Sequence, residues 1–506
     1  MRKNHFATMS GKSSKPQFAA APIRQGKAEP TCAAAAAEQQ QRVRRWGCGA
    51  GEPVVPEQAG AASNGHSHRQ PASGIIMSEL LEQSLALPCG TRLRNRLAKA
   101  AMTEGLADPA GIPTAELDRL YGLWSDGGAG LLLSGNILVD GSHLERPGNV
   151  IIDREPDAAM HAALSRWAAA ATRNGNHFWA QISHAGRQTQ KMINPHPKAP
   201  SAVKIGLPGG QFGEPVALTV AEIEDIVQRF GVCAAAVKAA GFTGVQIHAA
   251  HGYLLSQFLS PRSNLRTDQF GGALANRARA LLDTVKTVRV AVGPDFPVAV
   301  KLNSADFQKG GFAFEDSLQV AQWLQDAGVD LLEISGGTYE QPKLLGVAGI
   351  EEEEPQHVAQ STQMREAYFV DFALAMREKV SIPLMVTGGF RRREVMEQAI
   401  RSGGADLIGV GRPLCVMTDA PAQILQGLAE LPRFEAQLSL FPTWLAFLNR
   451  IKIVRTIASF GVQYWYYAQL EMLGSNGRAA PDMTVFAATR KVLAQQQRWV
   501  AARRRL

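Results

Sequence analysis

Closely spaced cysteines are missing from this 506-residue chain. Its five cysteines (32, 48, 89, 233 and 415) are scattered, and no two form a Cys-x-x-Cys pair. Zinc ribbons and iron–sulfur clusters need clustered thiolates, so neither is supported. Free thiols fit a reducing, cytoplasmic setting. Long apolar runs are also missing. The best candidate, FPTWLAFLNRIKIV at 441–454, is broken by Asn449, Arg450 and Lys452, well short of the roughly 18 residues of a spanning helix. A membrane partner is not expected. A strong charge bias is absent from the body of the chain, although the formal net charge is +8. Residues 1–76 carry ten Lys/Arg and four Glu, a net of +6, which leaves +2 for residues 77–506. A nearly neutral body gives no nucleic-acid footprint.

What is present divides into three parts. Residues 1–76 combine AAAAAEQQQ with Gly/Pro/Ser clusters and hardly any apolar periodicity. Such a segment cannot offset its ordering entropy and reads as a disordered basic tail. Its four acids oppose a transit peptide, and Met77 is an alternative start, since an orderly pattern begins there. From residue 77 to about 431 short apolar runs alternate with helical patterns. The runs are LAKAAMT (97–103), GLLLSGNILV (130–139), HFWAQISHAG (177–186), GVQIHAA (244–250), PVAVKLN (297–303), LLEISGG (331–337), PLMVTGG (383–389) and LIGVGRPL (407–414). Near-continuous apolar strands separated by helices imply a parallel sheet covered on both faces, and eight of them fit a closed (β/α)₈ TIM barrel. Residues 432–506 form a helical C-terminal extension containing the aromatic stretch FGVQYWYYAQLEML, expected to pack on the barrel or on a neighbouring subunit.

In such a barrel the chemistry sits at the C-terminal strand ends. Those ends supply Ala101-Met102-Thr103, Asn136, Gln181, the group His248, His251 and Tyr253, then Lys301, Gly388-Gly389 and Gly411-Arg412. The loops after strands 7 and 8 commonly bind phosphate. Glycines there let backbone N–H groups approach the anion, and Arg412 adds a charged clamp. Lys301 on an apolar strand needs an anionic partner. It fits either a Schiff-base nucleophile or a cation facing an electron-rich cofactor ring. His248 and His251 read as a metal pair, as satisfied core histidines or as an acid–base group with Tyr253. The metal reading lacks an evident third ligand.

The motifs HGYLLSQFLSP, RTDQFGGALANR, NRLAKAAMT, QISHAGRQ, VTGGF and ADLIGVGRPL resemble, in order and in register, those of the Old Yellow Enzyme family of FMN-dependent oxidoreductases. The resemblance spans about residues 78–420. It implies noncovalent FMN and NAD(P)H as hydride donor. Ala100, Ala101, Met102 and Thr103 would line the isoalloxazine, with Thr103 donating toward O4. Gln181 would pair with the pyrimidine edge, Asn136 would contact the flavin, and Lys301 would lie near N1 and O2. Gly388, Gly389, Gly411 and Arg412 would hold the phosphate. His248 and His251 would bind the carbonyl oxygen of an enone, and Tyr253 would protonate its α-carbon.

This chain departs from the family at three of those positions. Lys301 replaces the usual arginine, Ala101 a frequent proline, and Thr103 the cysteine of one branch. Three readings follow: an FMN enzyme reducing activated C=C bonds of a small-molecule substrate, a Schiff-base aldolase centred on Lys301, and an FMN-binding sensor or scaffold. Homo-oligomerisation is compatible with all three.

Overall fold

The structure, a computed structural model, describes residues 80–207, 210–338, 362–440 and 452–506, without side-chain detail at 362–369 and 452–459. These residues lie in one compact unit spanning 73–506. The expected tail at 1–76 and the acidic run at 351–354 fall outside the described residues.

Eight parallel strands form the barrel: β1 (Leu97–Lys99), β2 (Leu131–Leu138), β3 (His177–Ser183), β4 (Gly244–Ala249), β5 (Val298–Asn303), β6 (Leu331–Ser335), β7 (Leu384–Thr387) and β8 (Leu407–Val410). Each pairs with the next, and β8 returns to β1, which itself pairs with β2, so the sheet closes. Every strand falls inside one of the eight apolar runs. Nearly every strand residue is buried, because helices cover the outer face while side chains fill the inside. Each fully buried Leu, Ile or Val contributes roughly 1.5–3 kcal/mol of transfer free energy.

The helices between strands start and stop on local signals. Asp157 caps Ala158–Thr172 by accepting from the Met160 N–H. Thr219 and Glu222 form a reciprocal capping box at the start of Val220–Ala239. Gly293, at φ +79°, ends Leu274–Val292 in a backbone shape that side-chain-bearing residues avoid. Beneath the helix Ala115–Asp126 an aromatic cluster of Tyr121, Trp124, Trp167, Phe178 and Phe242 packs mostly edge to face, at a few tenths to about 1.5 kcal/mol per pair beyond area burial.

The C-terminal extension packs on this barrel. The helix Lys452–Asn476 contains the aromatic stretch, and Val485–Arg503 lies against it. Tyr467 stacks under the Arg146 guanidinium at 3.7 Å. Trp499 Nε1 donates to the Ala107 carbonyl at 3.0 Å, and Arg503 donates to the carbonyls of Pro109 and Gly141. None of the described helices is long and apolar enough to cross a membrane.

Candidate active site

At the mouth of β4 the chain turns sharply. His251 has φ +60° and Gly252 φ +78°, two successive residues in the left-handed region. A histidine held there costs on the order of 1–3 kcal/mol. It persists because its backbone is pinned on both sides: the His251 N–H donates to Asn303 Oδ1 at 3.0 Å, and its carbonyl accepts from Gln188 Nε2 at 3.0 Å. The turn swings Tyr253 into the position just before the short helix Leu254–Leu259. The result is a cluster of three rings: His248 stands edge-on to Tyr253 at 4.7 Å and to His251 at 5.3 Å.

Both histidines are neutral. Burial pulls the His248 imidazole well below its ordinary range, helped by the nearby His251 ring and by Lys301. Burial and then Lys301 do the same to His251. His248 Nδ1 accepts from the Ala250 N–H at 3.2 Å, so its Nε2 carries the proton. His251 Nε2 pairs with Ser335 Oγ at 2.6 Å across to β6.

Beneath these rings a buried polar chain crosses four strands. Gln181 Nε2 donates to Gln246 Oε1 at 2.7 Å, and Gln246 Nε2 donates to Glu333 Oε2 at 2.7 Å. Lys301 Nζ sits 2.8 Å from Glu333 Oε1. The anion that Lys301 requires is therefore a carboxylate one strand over, in register with it. An amine engaged in such an ion pair is a charge and not a nucleophile, which counts against the aldolase reading. Sequence reasoning passed over Gln246 and Glu333. The signal was a single polar residue inside each of two apolar runs, VQIH and LLEIS.

At the opposite side of the mouth, Gly388 and Gly389 have φ +131° and +83°, conformations that demand glycine. A Cβ on Gly411 would meet nothing closer than Met102 Sδ at 3.8 Å, so the chain leaves room above β8. Arg412 lies beside it with its side chain about a third exposed. Arg391, two residues beyond Gly389, is buried, a second cation that sequence reasoning missed. Around the mouth Asn136 Oδ1, Ser304 Oγ, Thr387 Oγ1 and Arg391 Nε are buried with no hydrogen-bond partner among the described residues. Unsatisfied buried polar atoms of this kind are costly unless a polar ligand meets them. Room above the glycines, two cations and these atoms fit a ligand with a phosphate and a hydrogen-bonding ring. FMN has both, and the same set would hold it.

The segment Ala100-Ala101-Met102-Thr103 leaves β1 with the Ala100 N–H donating to the Val410 carbonyl at 2.9 Å. It is braced from below by Glu104, whose Oε1 accepts from the Gly135 N–H at 2.8 Å and from the Tyr121 hydroxyl. Lys99 Nζ is buried beside this brace, 2.6 Å from the Leu133 carbonyl and 3.1 Å from the Tyr121 hydroxyl. Burial lowers its ammonium to about 8.

A metal-like trio, Asp140, His143 and His184, lies nearby. Its hydrogen bonds argue against a cation. His143 Nε2 accepts from the Lys198 N–H at 2.8 Å, and His184 Nδ1 from the Gly186 N–H at 3.0 Å. The remaining nitrogen of each ring therefore carries a proton and faces the Asp140 carboxylate. Burial would raise that carboxyl, but hydrogen bonds from His143 and then His184 hold it well below the usual range.

The sequence profile of the NADH:flavin oxidoreductase / NADH oxidase family matches residues 88–430. An NADH-dependent flavin oxidoreductase, iliE, of Neonectria sp. (strain DH2) is 38% identical over 362 residues, covering 68% of this chain and 47% of that protein. The iliE protein of Hypocrea jecorina (strain QM6a) is 36% identical over 362 residues, covering 67% of this chain and 88% of that one. The chain thus spans about half the length of the first relative and most of the second. Among solved structures, morphinone reductase in complex with tetrahydroNAD superposes with a TM-score of 0.56 at 26% identity, covering 69% of this chain and 91% of that one.

Proposed function

The chain belongs to the NADH:flavin oxidoreductase / NADH oxidase family of FMN-dependent oxidoreductases, and we propose that it takes hydride from NAD(P)H and reduces the activated C=C bond of an α,β-unsaturated carbonyl compound. The observation that carries this reading is the trio His248, His251 and Tyr253, with His248 locked as a neutral Nε2–H donor next to the tyrosine ring.

Bound FMN supplies the chemistry of hydride exchange. The residues of this chain do the rest. His248, with His251 beside it, binds the substrate carbonyl and stabilises the negative charge that grows on its oxygen as the alkene accepts hydride. Being neutral, both donate without giving up a proton, so the oxygen is stabilised and not protonated outright. Tyr253 holds a transferable proton on its hydroxyl for the α-carbon. The Lys301–Glu333 pair, neutral overall, fixes the Lys301 amine under the site, and the glycine strand ends with Arg412 hold the phosphate.

The reading predicts a yellow protein carrying one releasable FMN per chain. Reduced anaerobically with NADH or NADPH and then mixed with 2-cyclohexenone, it is expected to return to the oxidised spectrum and yield the saturated ketone. Reoxidation by dioxygen alone, with no saturated product from a panel of enones, maleimides and enals, would remove the C=C reading and leave a flavin oxidase.

A further inference from the structure

The short turn Phe434–Gln437, the first ordered piece of the C-terminal extension, carries Glu435 to the strand 7–8 side of the mouth. One carboxylate oxygen bridges both cations there: Glu435 Oε1 is 2.9 Å from Arg391 Nη2 and 3.2 Å from Arg412 Nη1. The other oxygen accepts the Tyr466 hydroxyl at 2.8 Å, and Tyr466 belongs to the long C-terminal helix. Burial alone would raise the Glu435 carboxyl, but Arg412 and Arg391 outweigh it and leave it below the ordinary range, hence ionised. Arg391 is buried, and its Nε is among the unpartnered atoms around the mouth.

Resting on the flavin reading above, we propose that Glu435 is an internal counter-anion which competes with the flavin phosphate for Arg391 and Arg412, and that Arg391 is a second phosphate-binding cation. Two guanidiniums and one carboxylate leave the cradle at +1. A phosphate dianion arriving there meets cations already partnered and a like charge within about one side chain's reach. Without flavin, the carboxylate spares a buried guanidinium the cost of standing unpaired. With flavin, phosphate does that job and the carboxylate only repels. Glu435 therefore stabilises the flavin-free chain and weakens retention of the phosphorylated cofactor. Tyr466 holds it in place, so the C-terminal helix is coupled to cofactor affinity.

The test uses full-length protein stripped of flavin, titrated separately with FMN and with riboflavin, which shares the ring but lacks the phosphate. Wild type is expected to prefer FMN. Glu435→Gln keeps the shape and removes the charge, so its FMN dissociation constant should fall on the order of tenfold while that for riboflavin stays unchanged. Its flavin-free melting temperature should fall, and FMN should raise it by more than in wild type. Tyr466→Phe should act in the same direction and less, and it carries the test should Glu435→Gln not fold. Weaker or unchanged FMN binding in the variants would overturn the proposal, making Glu435 a brace for the arginines or inert. An equal change for riboflavin would overturn it too, since the effect would not pass through phosphate. Wild type that binds neither flavin would sink the flavin reading itself, and this inference with it.

Discussion

The mouth of the barrel has two unlike sides. Around β4 the site is made of side chains: His248, His251 and Tyr253 stand ring to ring on a turn strained at His251. Around β7 and β8 it is made largely of backbone: Gly388, Gly389 and Gly411 clear space, and arginines supply charge. Moving a proton requires a group that can hold and release one at a fixed atom. Binding an anion requires only N–H groups and permanent cations. The first side should therefore fail in handling the enone, in rate or in its binding, when a functional group is removed, and the second in affinity for FMN.

The largest expected effect lies on the β4 side. Tyr253→Phe removes only a hydroxyl, so reduction of the flavin by NAD(P)H should persist while reoxidation by an enone slows on the order of 10²–10⁴-fold. Stopped-flow measurement of each half-reaction decides it. Wild-type reoxidation in the variant would transfer the proton-donor role to water or another group. The β7–β8 side should respond differently. Arg412→Ala removes a charged donor and should weaken FMN binding roughly 10- to 100-fold, with riboflavin binding nearly unaffected. A loss of enone turnover at saturating FMN would show that the two sides are not separable.

Replacing both His248 and His251 with Ala should weaken binding of enones and phenols, about tenfold or more, and leave FMN retention intact. Phenol titrations, followed by the change in flavin absorbance, would reveal it. FMN lost together with the phenol would indicate collapse of the turn.

A separate effect is a pH dependence of stability that arises largely on the histidine side. His184, His248 and His251 are all held below their ordinary range by burial, His184 at about 4. As pH falls below 6.5 the unfolded chain takes up protons there that the folded chain does not, so stability is lost as pH falls. Glu145 and Asp306, whose carboxyls burial raises, act with the opposite sign, but only nearer the carboxylate range. Urea unfolding at pH 5.5 should therefore show about 1–4 kcal/mol less stability than at pH 7.5. A flat profile would mean that these histidines protonate in place.

Much of this was legible from residues alone. All eight strands fall where an apolar run predicts them, because strand burial on both faces writes itself as a run rich in Val, Ile, Leu and Ala with few polar breaks. The candidate residues lie at or beside the barrel mouth, except Gln181 and Lys301, which lie within their strands beneath it. Asp140 and His143 went unnoticed, because nothing local marks a loop Asp and His as the partners of His184 just past β3.

The sequence by itself determined the kind of barrel and the chemical inventory of its rim: local periodicity sets which residues are strands, and strand order sets which end they share. Only the tertiary structure decided the partnerships. Lys301 faces Glu333 because of the β5–β6 register, and His248 is a fixed Nε2–H donor because a turn brings the Ala250 N–H to its Nδ1. Glu435 reaches Arg391 and Arg412 because the C-terminal helix docks where Tyr466 can hold it. A charge's energy depends on what stands within a few ångströms of it, and that distance is set by packing between segments far apart in the chain.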